Sequence, residues 1–185
     1  MTRSNARVLI QQLSVRDRES TKALYSSCIP LAFELEGLSN LQSVISEEII
    51  FKHRLIDESL DSKTSSTLFY VAKINDDVIG AISLGPCGKE ILDCTKNEWA
   101  DLKELGSLYV VNLFQNQGIG SLLIQSVITE LNKRGVKDFC LDSGYQHAQK
   151  KWIRKFGYPT MIVKDYWGKG LDHMLWKINL NEMNK

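Results

Sequence analysis

The stretch that most limits what this chain can become runs from Lys103 to Gly135. Lys103–Val111 reads as a strand that ends in the apolar run Leu108-Tyr109-Val110-Val111. Gln115-Asn116-Gln117-Gly118-Ile119-Gly120 follows, and then Ile119, Leu122, Leu123, Ser126, Val127 and Leu131 recur at helical spacing. That pattern predicts an amphipathic helix over 118–133, closed by Gly135, because glycine adopts the left-handed backbone of a helix end at least cost. The loop between strand and helix presents the helix's first amides, which lack intrahelical partners and carry partial positive charge. Such an end suits a phosphate or pyrophosphate, and a side chain at Gly118 or Gly120 would hold an anion away from the backbone. The competing reading of the glycine pair is a tight turn with close helix packing. Two phosphate loops are excluded. The dinucleotide fingerprint requires a third glycine where Leu123 stands, and the chain has no Gly-Lys-Ser/Thr triplet.

The rest of the chain places this unit in a mixed domain. Val8–Leu13 reads as a first strand. Arg16–Ile29 reads as a helix closed by Pro30, since proline disfavours helical backbone in the residue before it. Residues 31–40 read as irregular, and Leu41, Val44, Ile45, Ile49, Lys52, Leu55 and Ile56 mark a second helix. Asp61–Ser66 is a polar loop. Leu68–Ala72 and Val78–Leu84 form a hairpin across Asn75-Asp76-Asp77, and Pro86–Glu98 reads as loop. Val136–Asp142 is a strand, His147–Lys155 a helix stopped by Gly157, and Thr160–Tyr166 and Asp172–Leu180 are closing strands. The expected architecture is α/β, one domain over 8–185 after a flexible tail at 1–7.

Composition narrows the partners. With 185 residues, 23 Lys+Arg and 22 Asp+Glu, the formal net charge is +1, so no general attraction to nucleic acid or an anionic membrane follows. No apolar run is long enough to span a bilayer, and no apolar region follows the charged N-terminus as in a secretory signal. Cys28, Cys87, Cys94 and Cys140 lack Cys-x-x-Cys spacing, so the expectation is free thiols in a reducing cytoplasm and no metal.

Two motifs carry a resemblance. Gln115-Asn116-Gln117-Gly118-Ile119-Gly120 after Leu108-Tyr109-Val110 matches the Gln/Arg-x-x-Gly-x-Gly/Ala pattern of the GNAT acyltransferase superfamily, and Lys155-Phe156-Gly157-Tyr158 matches its helix ending in Gly-Phe or Gly-Tyr. The element order resembles that family from about Val8 to Leu180. The resemblance implies a mostly antiparallel mixed sheet flanked by helices, with acetyl-CoA as co-substrate and an amine on a small molecule or peptide as acceptor. It implies that backbone groups of Leu108, Tyr109 and Val110 hold the pantetheine arm, and that amides of Gln115, Asn116, Gln117, Gly118, Ile119, Gly120 and Ser121 hold the pyrophosphate. Gln146 stands where relatives often carry an asparagine. Lys151, Trp152 and Arg154 share its helix, where a solvated basic face competes with an adenosine contact. Small homodimers are common among relatives, so the resemblance implies a monomer or a homodimer.

For catalysis, the resemblance places a glutamate base at Glu104, acting through an ordered water; the competing reading is a surface carboxylate at a strand end. A strand N–H near Val110 is the expected donor to the developing oxyanion. The tyrosine that often protonates the leaving thiolate is replaced by Ile153, leaving Tyr145, Tyr158, Tyr166 or solvent. Residues 31–40, with Glu34 and Glu36, are expected to shape the acceptor pocket. His53 reads as an exposed helix residue, His147 stands near a helix start, and His173 lies in an aromatic hairpin either as an alternative base or as a satisfied structural group. The absent tyrosine also leaves open a non-catalytic acyl-CoA-binding sensor or regulatory module.

Overall fold

The computed structural model describes residues 7–61 and 65–183. The tail expected at 1–7 lies outside them except for Arg7, as does the middle of the expected polar loop at 61–66. The elements run β1 (Leu9–Gln12), a 3-10 turn (Val15–Asp17), α1 (Arg18–Leu35), α2 (Gln42–Asp61), β2 (Leu68–Ile74), β3 (Asp77–Pro86), α3 (Lys89–Cys94) and β4 (Lys103–Val110). A second 3-10 turn (Asn112–Phe114), α4 (Ile119–Lys133), β5 (Asp138–Ser143), α5 (Gln146–Phe156), β6 (Met161–Val163) and β7 (His173–Asn179) complete the chain.

Seven strands form one sheet in the order β1-β2-β3-β4-β5-β7-β6. Every pairing is antiparallel except β4 with β5. β3 lies centrally and is buried from Val78 to Gly85, so it shows no clean alternation. On one face Ile119, Leu123, Val127 and Leu131 of α4 pack on Ile82, Leu105, Phe139 and Trp176. On the other, Leu24, Tyr25, Ile29 and Phe33 of α1 and Ile45 and Ile56 of α2 cover Phe69, Val71 and Ala81. A smaller cluster, Cys87, Ile91, Trp99, Cys140 and Leu175, seals the sheet beneath α3.

The differences from the sequence-based expectation have physical causes. Pro30 lies inside α1 rather than after it. The helix forgoes one backbone hydrogen bond there but keeps Cys28, Ile29 and Phe33 on a continuous buried stripe. Residues expected to be irregular after Pro30 therefore complete α1, and Gly37, at φ +73°, makes the turn. α3 falls in the expected loop at 86–98; in six residues only Ile91 is fully buried, too little to show a period. β4 ends at Val110, although the Val111 amide still donates to the Ile79 carbonyl at 2.9 Å. β6 is far shorter than the expected Thr160–Tyr166 strand. His53 is half-buried, with Nε2 lying 3.1 Å from both Ser26 Oγ and the Lys22 carbonyl, so it joins α2 to α1. The expected stops hold: Gly135 and Gly157 adopt φ of +67° and +82°.

Asp17, 2% exposed, anchors the entry to α1. It accepts from Lys73 Nζ at 2.5 Å, Ser14 Oγ at 2.6 Å and Gln11 Nε2 at 3.1 Å. Burial works against its charge, but Lys73 and Ser14 outweigh it and hold the carboxyl below its ordinary range. Asp17→Ala strands the Lys73 ammonium. The expected loss is about 3–5 kcal/mol, a fall of roughly 6–20 °C in thermal midpoint for a chain of this size, read by circular dichroism at pH 7.

Candidate functional site

The site is built where two strands part. β4 and β5 pair in parallel at Lys103↔Phe139 and Glu104↔Cys140 and no further. Beyond Glu104, β4 is held on one side only, by β3. Between the pairs Ala81↔Tyr109 and Ser83↔Gly106, Ser107 and Leu108 oppose Ile82 alone, a β-bulge. Ser107 takes φ +51°, uncommon for a residue with a Cβ, and its carbonyl accepts from the Tyr25 hydroxyl at 2.8 Å. The bulge bends β4 away from β5 and leaves the β4 edge from Gly106 to Val110 facing a cleft. Leu108 and Val110 pack toward α4, whereas Tyr109 packs toward α1.

At the mouth of that cleft the chain turns into α4. Gln115 Nε2 donates to the Val110 carbonyl at 3.0 Å, pinning the loop to the strand, and its own amide donates to the Asn112 carbonyl. Gln117 Nε2 donates to the Leu113 carbonyl at 2.9 Å. Asn116 and Gly118 take φ of +60° and +84°. Among the described residues, no group accepts from the amides of Asn116 through Ser121; the first satisfied amide is that of Leu122, to the Gly118 carbonyl at 3.1 Å. Gly118 is required by its backbone. Gly120 is not: a Cβ there would meet only Leu108 Cδ2, at 4.0 Å. Close helix packing therefore does not account for Gly120, and its bareness leaves the helix end open to an approaching group.

Glu104 sits at the bottom of the parting. Its Oε2 accepts from the Gly88 amide at 2.6 Å, at the start of α3. Its Oε1 lies over Gly106, where a Cβ would approach it to 2.7 Å. Burial, then the Asp142 carboxylate, push Glu104 up to about 7, against the Gly88 amide and Lys52, which favour the charge. That value suits a proton acceptor near neutral pH. Beside Glu104, Cys87 Sγ lies 3.2 Å from Cys140 Sγ; both are buried, and all four cysteines are free. The hydrogen bond with Cys87 and burial push the Cys140 thiol up, so it is no thiolate nucleophile.

The remaining side chains separate by position. Tyr145 packs edge-on against Phe33, with ring centroids 5.6 Å apart, on the cleft side with Tyr109, and burial raises its hydroxyl. Tyr158 is 87% exposed. Ile153 packs into the α4-side core. Gln146 is exposed, its side chain 3.5 Å from the Gly170 carbonyl, whereas buried Gln149, not singled out from the sequence, donates to the Ser143 and Asp172 carbonyls at 2.9 Å. Lys151 and Arg154 are exposed and Trp152 packs on Phe156. Glu34 is exposed, but Glu36 accepts from the amides of Gln146 and His147, at 3.0 and 2.9 Å, and lies 3.0 Å from His147 Nδ1. Glu36 thus joins the end of α1 to α5, and its side chain is 5% exposed. No spacing in the sequence signals a contact made across more than a hundred residues.

A family model for the acetyltransferase (GNAT) domain matches residues 65–160, which span β2 to the end of α5. The chain belongs to the GNAT acetyltransferase family. As such it is an acyl-CoA-dependent N-acetyltransferase. The fold agrees with solved GNAT structures. PaiA N-acetyltransferase from Thermoplasma acidophilum, solved with coenzyme A, shares 19% identity over 93% of this chain and 99% of its own, with a TM-score of 0.62. The ribosomal-protein-S18-alanine N-acetyltransferase of Escherichia coli shares 15% over 94% of each chain, with a TM-score of 0.60. Aminoglycoside 6'-acetyltransferase type Ii shares 16% over 93% and 97%, with a TM-score of 0.62. No curated protein matches by sequence. No helix is long and apolar enough to cross a membrane, and no metal-ligating cluster occurs among the described residues.

The Glu104 environment sets a pH dependence of stability. The folded state favours protonated Glu104, so its contribution is complete below the unfolded pKa and is lost as pH rises through about 7. Glu104→Gln removes that loss. The variant is expected to match the wild type at pH 4 and to exceed it at pH 8 by on the order of 2 kcal/mol, about 4–8 °C in thermal midpoint.

Proposed function

We propose that this GNAT protein transfers the acetyl group of acetyl-CoA to an amine by direct attack within a ternary complex, in the cytoplasm, where its free thiols stay reduced. The observation that carries the reading is the parting of β4 from β5 at Glu104, with the uncapped N-terminus of α4 at its mouth. In this reading the β4 edge at Leu108, Tyr109 and Val110 takes the pantetheine arm as an added strand. The amides from Asn116 to Ser121, beside pinned Gln115, hold the pyrophosphate, and bare Gly120 admits it. Gln146, with its side chain turned toward Gly170, contributes at the α5 end. Acetyl-CoA supplies the acetyl group as an activated thioester, whose C–S bond breaks as the C–N bond to the acceptor forms.

The chain's own residues handle the protons. A primary amine with a pKa of about 10.4 is less than roughly one part in a thousand neutral at pH 7, a deficit worth roughly 4–5 kcal/mol of barrier. Glu104 takes the ammonium proton, directly or through a water, and later returns it to solvent. A β4 amide near Val110 faces the acetyl oxygen where negative charge grows. The proton shed by the new amide passes to the departing thiolate, with Tyr145, which packs in the same cluster as Tyr109 of β4, as the candidate hydroxyl to relay it. Cys140, whose thiol its bond with Cys87 pushes up, is not poised to form an acyl-enzyme, and direct attack on the thioester needs no such intermediate. The acceptor is an amine of a small molecule or a peptide. Both kinds are named among the structural neighbours.

A panel of amines assayed for acetyl-CoA-dependent release of free thiol tests the reaction; no release with any amine overturns it. Gly120→Val is expected to weaken acetyl-CoA binding at least tenfold by calorimetry, with the thermal midpoint preserved because the space is open. Wild-type affinity in that variant would remove α4 from the cofactor site. Glu104→Gln is expected to cut turnover by roughly 10²-fold at pH 7, with acetyl-CoA affinity unchanged and the deficit shrinking above pH 9, where free amine is abundant. A deficit independent of pH excludes Glu104 as the base.

A further inference from the structure

A second carboxylate is built into the floor of this cleft, and nothing in the acetyl-transfer reading uses it. Asp142 stands on β5 two residues beyond Cys140, the last β5 residue paired with β4, and so on the same face of the sheet as Glu104. The position level with it on β4 is Gly106, which has no side chain, and the Glu104 carboxylate leans over that glycine. The two carboxylates therefore lie on one face of the sheet across a position without a side chain, near enough that the Asp142 charge acts on Glu104.

Asp142 is held by groups that serve no other visible purpose. His173, 2% exposed, places Nε2 at 2.9 Å from Asp142 Oδ2. Trp167 Nε1–H donates to His173 Nδ1 at 3.0 Å. An indole can only donate, so Nδ1 accepts and the imidazole proton sits on Nε2, aimed at Asp142. The Trp167 ring rests on the backbone of Gly144, where a Cβ would come within 2.5 Å of Nε1. Tyr166 stacks on the other side of His173, with ring centroids 5.0 Å apart. Both His173 nitrogens are occupied, which rules it out as the base and makes it a satisfied structural group.

We propose that Asp142, aimed by the Trp167–His173 pair, seats the ammonium group of the acceptor amine beside Glu104. This rests on the acetyl-transfer reading and divides the work between two carboxylates. Asp142 has a donor of its own and binds the cation. Glu104, which carries the penalty of burial beside a second negative charge, takes the proton once the cation is in place. The other groups around Glu104 leave this pairing intact. Lys52 of α2 is neutralised by Glu48 at 3.1 Å. Glu90 and Asp93 of α3 add negative charge near Tyr166, Gly88 contributes its amide, and Cys87, Cys94 and Cys140 are thiols. The acceptor class that follows is an amine cationic at working pH, in preference to one already neutral.

The test uses the full chain and butylammonium chloride as probe, with 13C-carboxyl glutamate and 15N-indole labels read by NMR. In the wild type, butylammonium is expected to shift the Trp167 Nε1–H resonance in a saturable way, and butanol is not. Asp142→Asn is expected to weaken butylammonium at least tenfold and to move the Glu104 titration midpoint down by about one pH unit, the low end of what one neighbouring charge is worth. Acetyl-CoA affinity is expected to stay at the wild-type value. Unchanged butylammonium binding, or an unmoved Glu104 midpoint, overturns the proposal. Should Asp142→Asn fail to fold, Trp167→Phe removes the donor to His173 while keeping the charge, and is expected to weaken butylammonium at least threefold; no weakening overturns it equally. Absence of acetyl transfer with every amine would overturn the parent reading through a different measurement, and the NMR titrations would still decide whether Asp142 holds a cation.

Discussion

The structure turns on a failure of two strands to stay together. β4 and β5 are the one parallel pair in an otherwise antiparallel sheet, and their contact is limited to two residue pairs. The bulge at Ser107 bends β4 just beyond that contact, and the Tyr25 hydroxyl bonds the bulged carbonyl from α1. Everything proposed for function lies along the resulting opening: a free strand edge above, Glu104 at its base, and the start of α4 at its mouth. An intact β4–β5 ladder would use the same backbone groups for pairing and leave no place for an extended ligand.

Charge is arranged around that opening so that carboxylates lie where burial is costly. Glu104 and Asp142 come from the two parting strands, and each has one donor, the Gly88 amide and the His173 ring. A third acid, Glu36, is used differently. Its two oxygens meet the first amides of α5, where the helix end favours negative charge. This ties the turn after α1 to the far side of the cleft. The segment expected to shape the acceptor pocket is thus a clasp between α1 and α5. Asp17, with Lys73, shows the same economy away from the site: a buried carboxylate is tolerated where a cation and a hydroxyl meet it directly.

Several parts of this arrangement are written in local sequence. The α4 stripe Ile119, Leu123, Val127 and Leu131 packs as its spacing predicts, and Gly118, Gly135 and Gly157 take the left-handed backbone that glycine tolerates best. The family motif around Gly118 and Gly120 follows directly after a strand and opens a helix. Only the family resemblance points to Glu104; its local sequence alone does not distinguish it from a surface acid at a strand end. What makes it special is the Gly88 amide, bare Gly106 and the Asp142 charge. Pro30 misleads because the local preference it imposes is weaker than a buried stripe running through Phe33, and α3 is too short to show a period.

By itself, then, the sequence determined the features that depend on neighbours a few residues apart: helix stripes, glycine turns, the hairpin and the phosphate-type loop. These arise from backbone sterics and from the 3.6- and 2-residue periods, which any window of the chain displays. The tertiary structure alone decided the bulge at Ser107, the proximity of Glu104 to Asp142, the Trp167–His173 support and the Glu36 clasp. Each depends on a contact between segments tens of residues apart, Tyr25 with Ser107, β4 with β5, His173 with Asp142 and Glu36 with α5, and its strength comes from burial, which lowers the dielectric and removes competing water only after the sheet has assembled.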